Sequence, residues 1–290
     1  MKRAEFFRLI IAVFLVNNVV TNSKADIAFL GQVNNYWQVF VIDEESRELL
    51  QVTNDHGDKA KISWYPDGKS LLINELEGRL YRYYLREQKK VEIVTKVRGF
   101  SDAVLSPDGM KIAFSLSTAG SIDANNIWMM NSDGSQLERI VNKKNLQHEP
   151  SWGPKSLELY YLSGQGGQEH NIWVFNLSSR NTEALTSGQL YNFDVDVSQS
   201  GQIAYSSNRH GTYEIRIKDI QSDLDKSLTE HRYGMRPSWS RDESEIAYVS
   251  LRDGIPNIWI LSVQNPQEER RLTGFDEGAR MPVWYRGNDQ

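Results

Sequence analysis

The stretch SWYPDGKSLLI at residues 63–73 returns along the chain in recognisable form. Its relatives are VLSPDGMKIAF (104–114), SWGPKSLELYY (151–161), DVSQSGQIAYS (196–206), SWSRDESEIAY (238–248) and a shortened VWYRGNDQ (283–290). The slot held by Pro66 is taken in turn by Pro107, Pro154, Gln199, Arg241 and Arg286, at spacings of 41, 47, 45, 42 and 45 residues. A fixed period of this size marks stacked supersecondary units, none of which can bury its apolar faces alone. That excludes an ordinary layered domain before any single residue is weighed.

One period reads as four short strands. Trp64 ends the first; Pro66 presets φ for a turn, Asp67 tolerates it, and Gly68 takes the conformation that other residues resist. An alternating strand such as Lys111-Ile112-Ala113-Phe114 follows, with every second residue facing a core. After a polar loop comes a third strand: Asn126-Ile127-Trp128, Asn171-Ile172-Trp173 or Asn257-Ile258-Trp259, with Phe40, Tyr81 and Arg216 in the tryptophan slot elsewhere. The fourth closes on Val52-Thr53, Val94-Thr95, Leu185-Thr186, Leu228-Thr229 or Leu272-Thr273. Four antiparallel strands per repeat make a propeller blade.

The ends complete the count. Asp26-Ile27-Ala28-Phe29 matches a second strand with no first strand before it, and the last copy, from Val283, matches a first strand with no second after it. Joining the two pieces makes one more blade and hides two sheet edges. The expectation is an all-β, six-bladed propeller of four-stranded antiparallel blades over residues 26–290, one domain, closed by pairing the C-terminal strand with the N-terminal strands. Residues 1–25 read as a cleaved secretory signal: Lys2, Arg3 and Arg8 precede an apolar run over 9–20, and Ser23-Lys24-Ala25 offers small residues for cleavage. A periplasmic or secreted protein with no stable membrane insertion after cleavage is expected. The chain has no cysteine, so its core alone must hold it. A formal charge of −5, more negative once the basic leader is gone, argues against nucleic acid as partner.

The Trp-Ser-Pro-Asp-Gly-x-x-Ile-Ala-Phe pattern, followed by Ile-Trp and Leu-Thr, resembles the repeat of the TolB family of six-bladed propellers. The resemblance covers 26–290. It implies periplasmic interaction work, in which TolB engages a peptidoglycan-associated lipoprotein. TolB also carries an α/β domain ahead of its propeller, whereas here the propeller is expected to start at the cleavage site, so that domain's role does not carry over.

Seven of the eight tryptophans sit at repeat positions and read as core; Trp37, beside Tyr36, reads as an exposed anchor. Three positions ahead of each anchor tryptophan or its equivalent, the blades offer Met281, Lys61, Asp102, Glu149, Asp194 and Arg236 in ring order. In a propeller this position lines one mouth of the central channel. His148 and Arg280 lie one residue earlier, and Asp196 lies deeper. Asp102, Glu149 and Asp194 could converge on a hard cation such as Ca²⁺, receive a basic side chain, or simply line a hydrated channel. The five histidines show no ligand spacing, and neither a nucleophile elbow nor a phosphate loop occurs. Loops 116–126, 142–149 and 163–170 exceed hairpin length and adjoin the acidic half of the mouth.

The expected function is a monomeric, non-enzymatic scaffold without a required cofactor, binding an envelope protein or peptide through Lys61, Asp102, His148, Glu149, Asp194, Arg236 and Arg280. The rival is a metal-dependent lyase, since propellers similar to this one occur in oligogalacturonate lyases. That chemistry calls for a histidine-rich metal cluster and a basic cleft.

Overall fold

The computed structural model describes residues 26–117, 125–143, 145–164, 169–188 and 191–287. The expected leader, residues 1–25, lies outside them, as do 118–124 and 165–168 of two long loops. The described residues form six four-stranded antiparallel sheets. Blade 1 contains β1 (Asp26–Val33), β2 (Tyr36–Asp43) and β3 (Leu49–Gln51). Blade 2 contains β4 (Lys59–Trp64), β5 (Ser70–Glu75), β6 (Leu80–Tyr84) and β7 (Lys89–Glu92). Blade 3 runs through β8 (Ser101–Leu105), β9 (Lys111–Ser117), β10 (Asn125–Asn131) and β11 (Glu138–Val141). Blade 4 runs through β12 (Leu146–Trp152), β13 (Glu158–Gly164), β14 (Asn171–Asn176) and β15 (Thr182–Ala184). Blade 5 has β16 (Asn192–Val197), β17 (Ile203–Ser207), β18 (Glu214–Lys218) and β19 (Asp225–Ser227). Blade 6 has β20 (Met235–Trp239), β21 (Glu245–Ser250), β22 (Asn257–Ser262) and β23 (Glu269–Arg271).

The innermost strand of blade 1 is β24 (Ala279–Trp284), paired antiparallel with β1 so that Ile27 faces Trp284 and Leu30 faces Arg280. The seam expected from the two incomplete ends is therefore present. The inner strands β4, β8, β12, β16, β20 and β24 touch in that order, and β24 meets β4 to close the ring.

Each junction between blades holds its own apolar cluster. Phe29 and Phe40 of blade 1 pack with Ala247, Ile258 and Ile260 of blade 6. Tyr160 and Leu162 of blade 4 pack with Val195 and Tyr205 of blade 5. Burial is thus shared between neighbours, which is why one blade is not stable alone.

The recurrent motifs have local causes. The turn residue after strand one has positive φ in five blades: Gly68 (62°), Gly109 (74°), Ser156 (57°), Gly201 (90°) and Glu243 (61°). The Leu-Thr signature is a backbone clasp. The hydroxyl oxygens of Thr53, Thr186, Thr229 and Thr273 accept from the strand-three N–H groups of Val39, Ile172, Ile215 and Ile258 at 2.8–2.9 Å. Thr273 in turn donates to Asn257 at 2.9 Å, linking the Asn-Ile-Trp motif to Leu-Thr.

The tryptophans divide in two. On the first strands, Trp152, Trp239 and Trp284 are buried. Trp64 and Trp152 tie neighbouring blades by donating from Nε1 to Val283 (3.0 Å) and Val104 (3.2 Å). Trp128, Trp173 and Trp259 depart from the core expectation: they are half-buried. Arg139, Lys143 and Arg252 stack on them at 5.8, 3.7 and 4.5 Å. Their slot lies two strands further from the hub, where a cation supplies part of the cover.

Candidate functional site at the channel mouth

All six inner strands carry a β-bulge near their first residues: the pairing with the second strand slips between Lys59 and Lys61, Ser101 and Val104, His148 and Ser151, Phe193 and Asp196, and Met235 and Ser238, and β24 slips likewise against β1. A bulge leaves one residue unpaired and re-aims its side chain. In five blades the residue at this point is left-handed and not glycine: Asp102 (φ 56°), Glu149 (50°), Asp194 (55°), Arg236 (59°) and Met281 (58°). Such a conformation costs about 1–2 kcal/mol per residue, and it persists where the surroundings dictate it. Here the previous blade supplies part of that constraint by taking up backbone N–H groups that the bulge frees. Asp194 N–H donates to Glu149 (2.9 Å), Arg236 N–H to Ser206 Oγ (3.0 Å), and Ala103 N–H to Asn74 (3.3 Å).

Lys61, Asp194, Arg236 and Met281 line the channel, a space of about 200 Å³. Glu149 and Asp194 are neighbours across the junction of blades 4 and 5, with side chains only 21% and 12% exposed. Their surroundings push their ionisation in opposite directions. Burial and the adjacent Glu149 hold the Asp194 carboxyl above the usual carboxylate range, against the pull of Arg236 and Lys61. Burial also works to raise Glu149, but the hydrogen bond and charge of His148, the Lys61 ammonium and the Asp194 N–H outweigh it and keep Glu149 ionised. Arg236 Nε stands 4.0 Å from Asp194 Oδ1, too far for a hydrogen bond.

Asp102 occupies the equivalent bulge but engages its own blade, accepting from Ser101 Oγ (3.1 Å) and Ser115 Oγ (3.4 Å). Among the described residues, no three His, Cys, Asp or Glu side chains form a group able to hold a metal ion.

His148 lies 3.4 Å from Glu149 through Nδ1 and meets the His170 ring edge-to-face at 4.7 Å. Phe193 closes on His170 at 4.9 Å. Burial, reinforced by His148, pushes His170 down to about 4, so it stays neutral at ordinary pH. His170 escaped the sequence reading because 22 residues, including the whole of β13, separate it from His148.

Trp37 is half-buried rather than free, with the Arg280 guanidinium 3.9 Å above its ring. The loop expected over 142–149 is shorter than that, because β12 already starts at Leu146. The greater part of loops 116–126 and 163–170 lies outside the described residues.

At the other end of the channel, Tyr285 donates to the Pro66 carbonyl (2.9 Å) and packs tilted against Trp64, with ring centroids 5.4 Å apart. Arg286 reaches from blade 1 past blade 6 to blade 5, bonding Asp196 (2.8 Å) and the Val197 carbonyl (2.7 Å).

A closed six-bladed ring with a bulge-built mouth defines the class: a β-propeller whose inner strands set charged side chains at one mouth of its hub. Comparison with known proteins then supplies the family. The TolB β-propeller domain matches residues 74–287, and the chain belongs to that family. It is similar to the Tol-Pal system protein TolB of Anaeromyxobacter dehalogenans, with 24% identity over 129 residues, covering 43% of this chain and 29% of that protein. The chain thus matches less than a third of the length of its curated relatives. Crystalline TolB from Acinetobacter baumannii superposes with a TM-score of 0.78 at 20% identity, over 91% of this chain and 67% of that one. An oligogalacturonate lyase in complex with manganese shares the fold, with a TM-score of 0.61 at 13% identity over 87% of this chain and 75% of that one.

Proposed function

We propose that this protein is an exported, non-enzymatic propeller that captures an envelope protein or peptide on its channel-mouth face. The observation that carries the reading is the Glu149–Asp194 pair. Two carboxylates are enclosed side by side at the mouth, and the nearest guanidinium, that of Arg236, does not hydrogen-bond either of them. Bringing a cationic side chain or an amino terminus between them would favour the ionised form of Asp194, which burial and the adjacent Glu149 now oppose. Membership of the TolB propeller family and similarity to a protein named for the Tol-Pal system support a role among envelope proteins. The basic leader and its apolar run support export.

The test uses D102N/E149Q/D194N, which removes three charges and keeps the side-chain shapes. Capture of a partner from the native envelope fraction should be lost, while thermal unfolding stays cooperative. Full capture by the triple variant would contradict the proposal. Stoichiometric Mn²⁺ bound through histidines in the purified protein would favour a lyase instead.

A further inference from the structure

The opposite side of the mouth holds a second arrangement. Arg280, at the start of β24, lies on the Trp37 indole at 3.9 Å. Its Nε is buried and has no hydrogen-bond acceptor. Asp58 attracts it, but that carboxylate already takes the Trp37 backbone N–H at 2.8 Å, and no carboxylate of the described residues forms an ion pair with Arg280. Arg236, on the adjoining inner strand, is close enough to repel it; its Nη1 donates to the thioether of Met281, a weak acceptor. Burial together with Arg236 pulls the Arg280 guanidinium down to about 10.

A buried guanidinium N–H without an acceptor is costly, and native proteins almost always pair one. Arg280, half-buried and stacked on an aromatic with its Nε unpaired, stands at one junction with Arg236, which is 31% exposed, rests on sulfur and lies 4.0 Å from Asp194. Together they make the arrangement expected of a receptor for a planar anion. The fork of N–H donors matches a carboxylate in two-point fashion. Charge selects the monoanion: Glu149, Asp194 and Asp58 stand around Lys61, Arg236 and Arg280, so a dianion such as phosphate would meet repulsion from the acidic wall.

We infer that Arg280 and Arg236, with Trp37 as floor, form a carboxylate-binding site that receives an acidic side chain or carboxyl terminus of the captured partner. The inference rests on the channel mouth being the binding face, and adds that the bound segment carries an anion opposite its cation. Binding takes Arg280 from a half-buried state with an unpaired Nε into a two-point ion pair, and its stacking on Trp37 holds the fork in place beforehand.

The experiment titrates the full chain with N-acetylglycine, which has one carboxylate and no amine, and follows the arginine Nε–Hε cross-peaks by NMR. A saturable shift of the Arg280 signal is expected, with none from N-acetylglycinamide. R280Q and R236Q should each weaken the affinity at least about tenfold, the loss of one charge-assisted hydrogen bond. R280K keeps the charge and loses the fork, and should fall between wild type and R280Q, which guards against a variant that fails to fold. Absence of a saturable shift, wild-type affinity in R280Q, or tighter binding of inorganic phosphate than of the carboxylate would overturn the inference. D102N/E149Q/D194N should still bind N-acetylglycine, so failure here is separable from failure of the capture experiment.

Discussion

Arg286 and Asp196 are joined at 2.8 Å across the far end of the channel, although 90 residues separate them in sequence. Asp196 also accepts the Trp239 N–H at 2.8 Å, so a single carboxylate gathers blades 1, 5 and 6. Both side chains are mostly sheltered, and the bond should therefore outlast salt screening. A double-mutant cycle with R286M and D196N should give a coupling energy of about 1–2 kcal/mol in chemical denaturation. Additive effects would show that the contact contributes nothing to closure.

The threonine clasp separates two residues that the repeat makes equivalent. Thr229 is fully buried and accepts the Ile215 N–H at 2.8 Å, whereas Thr95 donates to the Val97 carbonyl instead. T229V strands a buried N–H and should cost about 1–3 kcal/mol. T95V should cost well under half of that. Urea midpoints of the two variants, compared side by side, check the difference.

His170 ties stability to acid. Its folded value, about 4, lies below the ordinary 6.5, so the unfolded chain takes up the proton more readily. The associated stability is complete above pH 6.5 and is lost as pH falls from there toward 4. H170F keeps the ring stack with His148 and Phe193 and should flatten this part of the profile by about 1 kcal/mol, allowing for the partial exposure of the site.

Asp194 has the opposite sign. Its folded value is raised, so its contribution is greatest while the carboxyl is protonated and declines as pH rises out of the ordinary carboxylate range. D194N should thus raise the melting temperature at pH 7, by an amount corresponding to about 1 kcal/mol. An unchanged or lower melting temperature would mean that Arg236 and Lys61 already compensate the charge.

The architecture was legible because its causes recur. Pro-Asp-Gly turns, alternating strands and complementary ends repeat at one period, and the β24–β1 seam follows from them. The position of Lys61, Asp102, Glu149, Asp194, Arg236 and Met281 near the start of each inner strand could also be counted from the anchor tryptophans. What could not be read was their backbone. No side-chain signature distinguishes a left-handed Glu149 or Met281 from an extended one, since the bulge is imposed by register with the neighbouring strand. Contacts between residues far apart in sequence were equally hidden: His148 with His170 inside blade 4, Arg280 with Trp37 inside blade 1, and Arg286 with Asp196 from blade 1 to blade 5 depend on how the strands pack around the hub. The half-exposed Trp128, Trp173 and Trp259 show the same limit, because the repeat pattern marks a slot without revealing how far it lies from the next blade.

Site-specific photo-crosslinking tests most directly whether the mouth is the face that meets a partner. A photoreactive residue is placed at exposed Ser101, beside Asp102, or at Asp133, in the turn after β10 at the opposite end of the blades. A discrete crosslinked partner from the envelope fraction is expected with the residue at 101 and none with it at 133. Crosslinking at 133 alone would contradict this.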